Sequence, residues 1–161
     1  MSSISLQPGD MAPNFSLTRD GGTTVTLAGL RGTPVVIYFY PEDGTPSCTT
    51  EAQSFSALAA DFAATGTRLL GLSRDSVAKH DKFIAKQGLQ LALLSDETGT
   101  ASDAFGFWVE KQMYGRTYMG MERATVLIDA DGRIAQIWRK VRVKGHADAV
   151  LAAAQALAAK P

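Results

Sequence analysis

The stretch from Pro34 to Ala64 constrains the chain more than any other. Pro34-Val-Val-Ile-Tyr-Phe-Tyr40 is a short, continuous β-branched and aromatic run. A run without polar alternation suits a strand covered on both faces, as in the interior of an α/β sheet. Directly after it the period changes. From Pro46 to Ala64 the apolar residues Ala52, Phe55, Leu58, Ala59 and Phe62 recur at helical spacing on one face, and Gly66 stands just beyond as a C-cap would. The spacing therefore predicts a central strand with a helix packed back onto it, the start of a layered α/β fold.

The rest of the chain alternates in the same way. Asn14 to Leu17 and Thr24 to Leu27 alternate apolar with polar around Arg19-Asp20-Gly21-Gly22, which predicts an N-terminal hairpin. Thr67 to Ser73 reads as a second strand. Ser76 can N-cap a helix to about Gln87, with Val77, Phe83 and Ile84 inward and Gly88 ending it. Leu91 to Ser95 reads as a third strand, followed by a helical turn near 101–105 and an irregular aromatic stretch from Phe107 to Gly120. Strands at Ala124 to Asp129 and Ile134 to Trp138 flank the turn residues Asp131-Gly132, and a helix from about His146 to Ala159 puts Val150, Leu151, Ala154 and Leu157 on one face. The expected architecture is an α/β three-layer sandwich. Its mixed central sheet is flanked by helices, and its parallel first half gives way to an antiparallel hairpin. No linker or repeat interrupts it, so residues 1–161 read as one domain.

Composition removes several function classes. There is one cysteine, Cys48, so an internal disulfide and CxxC chemistry are excluded, and the two histidines, His80 and His146, stand too far apart for a zinc module. No metal or cofactor is expected. Sixteen Lys+Arg balance sixteen Asp+Glu, which argues against nucleic acid as the main partner. No stretch approaches the roughly 20 apolar residues that span a bilayer. The N-terminus lacks a basic n-region followed by an apolar h-region, so the expectation is a soluble, cytoplasmic protein without a secretory leader.

Cys48 is then the residue to explain. It lies between the buried strand and the first long helix, at the carboxyl end of a strand, where active sites of open α/β sheets gather. With Thr45 as N-cap and Pro46 at the first helical position, Cys48 is third in the first turn. There its sulfur lies near unpaired backbone N–H groups and the positive end of the helix dipole, which favour the thiolate. The same spacing places Cys48 four and seven residues before Ala52 and Phe55, on the inward face. Position alone leaves an inert packed cysteine and a reactive one both open.

The run Tyr38-Phe-Tyr-Pro41-Glu-Asp-Gly-Thr45-Pro46-Ser47-Cys48-Thr49-Thr50-Glu51 resembles the peroxidatic-cysteine motif of peroxiredoxins, Pro-x-x-x-Thr/Ser-x-x-Cys. It is most similar to the Q-type subfamily, the bacterioferritin comigratory proteins. Colinear resemblances occur at Pro8 to Leu17, Gly71 to Ser76, Leu94-Ser-Asp96 and Glu122 to Asp129, so the likeness covers roughly residues 8 to 155. The resemblance implies a thioredoxin-like fold and a thiol-dependent peroxidase acting on hydrogen peroxide and alkyl hydroperoxides. It implies that Cys48 is the nucleophile, that Thr45 hydrogen-bonds thiolate and peroxide, that Pro41 shields the pocket, and that Arg123 points its guanidinium at the sulfur. Thioredoxin, glutaredoxin or a small thiol is the implied reductant, and a monomer or weak dimer the implied state.

The chain departs from the subfamily in two places. Gln53 stands where many members carry a resolving cysteine, and the second helix offers Phe83 and Ile84 instead of the alternative one. A sulfenic acid at Cys48 would therefore need an outside thiol. Ser47 also replaces a usual glycine. A thioredoxin-fold redox-sensing or binding module with slowly oxidised Cys48 is the alternative. Of the remaining features, Glu51, about one turn beyond Cys48, either orients Arg123 or only favours the helix start. Trp138 to Lys144 reads as a solvated edge strand, His80 as a helix-surface residue and His146 as a helix-start residue. Phe107, Trp108, Tyr114 and Tyr118 read as packing, with an apolar substrate mouth as the alternative.

Overall fold

The computed structural model describes residues 5–160; residues 1–4, which begin the segment read above for a leader, and 161 lie outside it. Among the described residues nine strands and five α-helices follow one another as β1 (Ser16–Arg19), β2 (Thr24–Thr26), β3 (Val35–Phe39), α1 (Pro46–Ala57), α2 (Ala59–Ala64), β4 (Arg68–Ser73), α3 (Val77–Gln87), β5 (Ala92–Ser95), α4 (Thr100–Phe105), β6 (Trp108–Met113), β7 (Arg116–Met121), β8 (Ala124–Ile128), β9 (Ile134–Trp138) and α5 (His146–Ala158). Seven strands form one sheet in the order β2-β1-β5-β4-β3-β8-β9. β3, β4 and β5 run parallel, and β8 joins β3 antiparallel with Val35 opposite Ile128 and Phe39 opposite Ala124. This is the thioredoxin-like, mixed three-layer arrangement expected from the sequence.

Every residue of β3 is buried, because each face of the sheet carries its own core. On one face Val35, Ile37 and Phe39 pack with Phe15, Phe105 and Phe107; on the other Val36, Tyr38 and Tyr40 pack with Cys48, Phe55, Phe62, Phe83 and Val150. A strand between two apolar layers has no solvent face, which is why its sequence shows no alternation. Tyr38 is the largest intrusion. Its ring stacks on Phe55 with centroids 4.6 Å apart and lies over Gly71 of β4, where a Cβ would meet the Tyr38 ring at 2.8 Å. A side chain at Gly71 would force this ring off the strand.

Three local expectations are corrected. The helix expected over 46–64 is broken at Leu58 (φ −101°, ψ 8°), so α1 and α2 are separate segments. The stretch read as irregular is a regular two-stranded hairpin, β6 paired with β7 from Trp108 opposite Met121 to Met113 opposite Arg116. Most of its residues are exposed or half-buried, so no buried face wrote a period-2 pattern into the sequence. The basic run is not an edge strand either: β9 ends at Trp138, and Lys140 turns into the left-handed region (φ 48°) while its N–H donates to Glu122 Oε2 at 2.9 Å.

The hairpin is tied to the body through Arg74, which follows β4. The Arg74 guanidinium carbon lies 3.4 Å from the Trp108 ring centroid, and its nitrogens donate to Ser102 Oγ and Asp103 Oδ1. Arg74→Ala is expected to cost about 1–2 kcal/mol. With Trp138→Phe as background, it should also raise the quenching of Trp108 fluorescence by added solute. Unchanged quenching would show that Arg74 does not hold the hairpin.

Candidate active site

The site forms where β3 ends and α1 begins. Thr45 has extended N-cap geometry and Pro46 opens the helix, so Cys48 is third in the first turn, and its side chain is buried beneath it. The Thr45 hydroxyl does not cap the helix. It donates to the Glu42 carbonyl at 3.0 Å, and Thr45 is half-buried. Pro41 is exposed at the mouth of the loop.

Arg123 arrives from the short connection between β7 and β8. Its Nη2 donates to Cys48 Sγ at 3.4 Å, and its Nη1 donates to Glu51 Oε1 at 2.6 Å. The guanidinium fork thus addresses sulfur and carboxylate together, which a point charge such as lysine could not do. Three contacts hold Arg123 in place. Glu122 forms a two-pronged pair with Arg139, both bonds 2.7 Å; the Lys140 N–H donates to Glu122; and the Val141 N–H donates to the Arg123 carbonyl at 2.9 Å. The segment read as an edge strand is therefore a clamp on the turn that presents Arg123.

The electrostatics follow from burial. Glu51 is only 1% exposed, and its Oε2 has no hydrogen-bond partner. Burial pushes its carboxyl up from 4.5 to about 7, with Arg123 opposing. Burial also works against the Arg123 charge, but Glu51 and Cys48 outweigh it and hold the guanidinium above its ordinary value. Among the described residues the other buried side-chain polar atom without a partner is the Tyr38 hydroxyl, raised by burial and by Glu51, Asp43 and Cys48. His146 accepts or donates at Thr125 Oγ1, 2.8 Å away, and burial followed by the Arg123 charge lowers it to about 4. It is a neutral interior residue, with a partner the sequence did not suggest.

His80, expected on a helix surface, is fully buried and bonds Asp43 and the Leu94 carbonyl. Asp43, Asp75 and His80 bring potential metal ligands within 4.8 Å of one another, but their atoms are engaged with each other and with Tyr40 and Ser73. The four aromatics weighed as a substrate mouth separate: Phe107 is core, Trp108 lies under Arg74, and Tyr114, 97% exposed, sits with Tyr118 on the hairpin. Lys111 of β6, not singled out from the sequence, approaches the site. Burial and then Arg123 lower its ammonium, while Cys48 and Glu122 oppose. A strand lysine in an apparently irregular stretch carries no sequence signal of this placement.

Known proteins resemble the chain over most of its length. The AhpC/TSA family pattern matches residues 8–137. The Peroxiredoxin Bcp of Xanthomonas campestris is 51% identical over 143 residues, covering 89% of each chain. That of Bacillus subtilis is 43% identical over 143 residues, covering 89% of this chain and 91% of the relative. Among solved structures, Xanthomonas campestris Peroxiredoxin Q matches with a TM-score of 0.86 at 50% identity, over 89% of this chain and 91% of that one. A bacterioferritin comigratory protein of the same organism, solved as trapped intermediate and ligand complexes bearing on its alkyl peroxide reduction activity, matches with 0.86 at 49%, over 89% and 92%. A cysteine containing first turn at a strand end, facing an arginine, is thus set in a chain that matches these relatives over most of its length. The chain belongs to the AhpC/TSA family, within its Bcp or Q-type peroxiredoxin branch, and is a thiol-dependent peroxidase with a single cysteine.

Proposed function

We propose that Cys48 is the peroxidatic nucleophile, reducing hydrogen peroxide and alkyl hydroperoxides. The observation that carries this reading is the Arg123 fork spanning Cys48 Sγ and Glu51. The thiolate attacks one oxygen of the hydroperoxide in line with the O–O bond, that bond breaks, and charge moves onto the departing oxygen. Arg123 and the first-turn N–H groups of α1 are donors fixed in advance for that charge. Thr45 adds its one O–H once a peroxide replaces the Glu42 carbonyl as acceptor, and exposed Pro41 borders the entry. The departing oxygen takes a proton from solvent, and the products are a Cys48 sulfenic acid and an alcohol or water.

Regeneration is external. With Gln53 bonded to Gln87 at 3.0 Å between α1 and α3 and no second cysteine in the chain, the sulfenate condenses with an outside thiol, from thioredoxin, glutaredoxin or a small molecule, and a second thiol releases it. A reducing cytoplasm suits such a cycle, and one chain contains every group named for the attack on hydroperoxide, in keeping with a monomer or weak dimer. Among the described residues no helix is long and apolar enough to cross a membrane.

The test is a turnover count. Without added thiol, reduced protein should consume about one equivalent of hydroperoxide and stop. Adding thiol should restore turnover, with a Cys48 mixed disulfide visible by mass. Sustained consumption by the Cys48→Ser variant would overturn the assignment.

A further inference from the structure

Beneath the loop that leads into α1 lies a buried ion pair that the reaction itself does not use. His80, one turn into α3, has Nδ1 2.6 Å from Asp43 Oδ2 and Nε2 2.9 Å from the Leu94 carbonyl. The other Asp43 oxygen accepts from the Tyr40 hydroxyl. Carboxylate and carbonyl are both acceptors, so the ring makes both bonds only when it carries both protons. Asp43 stands two residues before Thr45 and five before Cys48. Its backbone N–H donates to Asp75 Oδ2 at 2.8 Å, and Lys79 of α3 pairs with Glu42 at 2.6 Å and with Asp75 at 3.0 Å. The start of α3 therefore grips consecutive residues, Glu42 and Asp43, of the loop whose next turn carries the reacting sulfur.

We infer that the buried His80–Asp43 ion pair positions the loop from Asp43 to Cys48: with both ring protons in place the loop is held in its reactive conformation, and loss of one loosens it and slows attack on hydroperoxide. This rests on the reading of Cys48 as the reacting thiol. His80 and Asp43 are positioning residues, since they act on the substrate only through Thr45 and Cys48.

The surroundings give the direction of the pH response. Asp43 from the loop and Asp75 from the turn after β4 act on His80, and β5 supplies the Leu94 carbonyl; behind them Tyr40 bonds Asp43, and Lys79 pairs with Glu42 and Asp75. Burial works against the imidazolium, but the hydrogen bond and charge of Asp43, the Leu94 carbonyl and Asp75 outweigh it, so His80 is raised above 6.5. A histidine raised on folding stabilises fully below its unfolded value, and this contribution is lost as pH rises through the folded value. Beyond that point one ring nitrogen turns a lone pair toward an acceptor, and the Asp43 or the Leu94 bond is lost.

The experiment measures Cys48 sulfenate formation by rapid mixing with hydrogen peroxide from about pH 5.5 to 9.5. It uses the unmodified protein, Asp43→Asn and His80→Gln, with the His80 ring titrated by NMR and Cys48→Ser as control. The rate of the unmodified protein should fall about ten- to a hundredfold on the alkaline side, with its midpoint at the His80 titration. Both variants should lack that limb and react more slowly near pH 6.5, a change of profile that lowered stability alone would not produce. An alkaline limb retained in the variants, or a His80 titration that leaves the rate untouched, overturns the inference. If neither variant folds, the coincidence of limb and titration in the unmodified protein decides. Peroxide consumption surviving in Cys48→Ser would instead overturn the reading of Cys48.

Discussion

Arg123→Ala will lower the rate of Cys48 oxidation by about two to three orders of magnitude, the usual effect of removing one preorganised donor from developing charge in a water-poor site. The effect is large because Arg123 is mostly buried and its fork is already aimed: one nitrogen sits 3.4 Å from the sulfur while the other is tied to Glu51. Arg123→Lys keeps the charge but has a single ammonium for two partners, so it should recover only part of the loss. Rapid-mixing kinetics with hydrogen peroxide reads all three proteins. A rate for Arg123→Ala within a fewfold of the parent would show that the guanidinium serves packing and not the reaction.

The same substitution will destabilise the fold in a pH-dependent way. Removing Arg123 leaves Glu51 buried without its partner, and breaking a buried pair in this way costs about 3–5 kcal/mol. The size follows the charge on Glu51. Its folded value of about 7 lies above 4.5, so between those values the unfolded chain binds fewer protons and stability falls as pH rises. In Arg123→Ala nothing offsets the desolvation, so Glu51 takes up a proton more readily and the loss should be large near pH 8 and small near pH 5. Adding Glu51→Gln removes the charge outright. The double variant should regain most of the stability near pH 8 and none of the rate, as read by denaturant melts beside the kinetics. A single variant equally unstable at both pH values would mean that Glu51 is not the source of the loss.

What could be read in the sequence is what burial wrote there. β3, α1, α3, the strands on either side of Asp131-Gly132 and α5 all present faces to one of two cores, so their apolar spacing announces them. Cys48 was legible for a different reason, since Thr45, Pro46 and a strand end define the helix start within a few residues. The hairpin of β6 and β7 covers no core of its own and left no period. The pairings that build the site were also hidden. Arg123 and Glu51 are 72 residues apart and His80 and Asp43 37, and no local spacing connects them. The family resemblance points Arg123 at the sulfur and the sequence leaves Glu51 with two readings, whereas the buried depth of the pair appears only with the fold. The sequence points His80 outward because α3 carries Lys79, Asp81 and Lys82 beside it, a polar neighbourhood that hides one inward ring. The Thr45 hydroxyl donates to the Glu42 carbonyl, a bond that its place in the motif does not announce.

The central claim, that Cys48 with Arg123 forms a peroxide-reducing site, is tested most directly by mixing reduced protein with one equivalent of hydrogen peroxide and following sulfenate at Cys48 by trapping and mass. The account predicts oxidation of Cys48 orders of magnitude faster than that of free cysteine under the same conditions, and Cys48 oxidation no faster than free cysteine would contradict it.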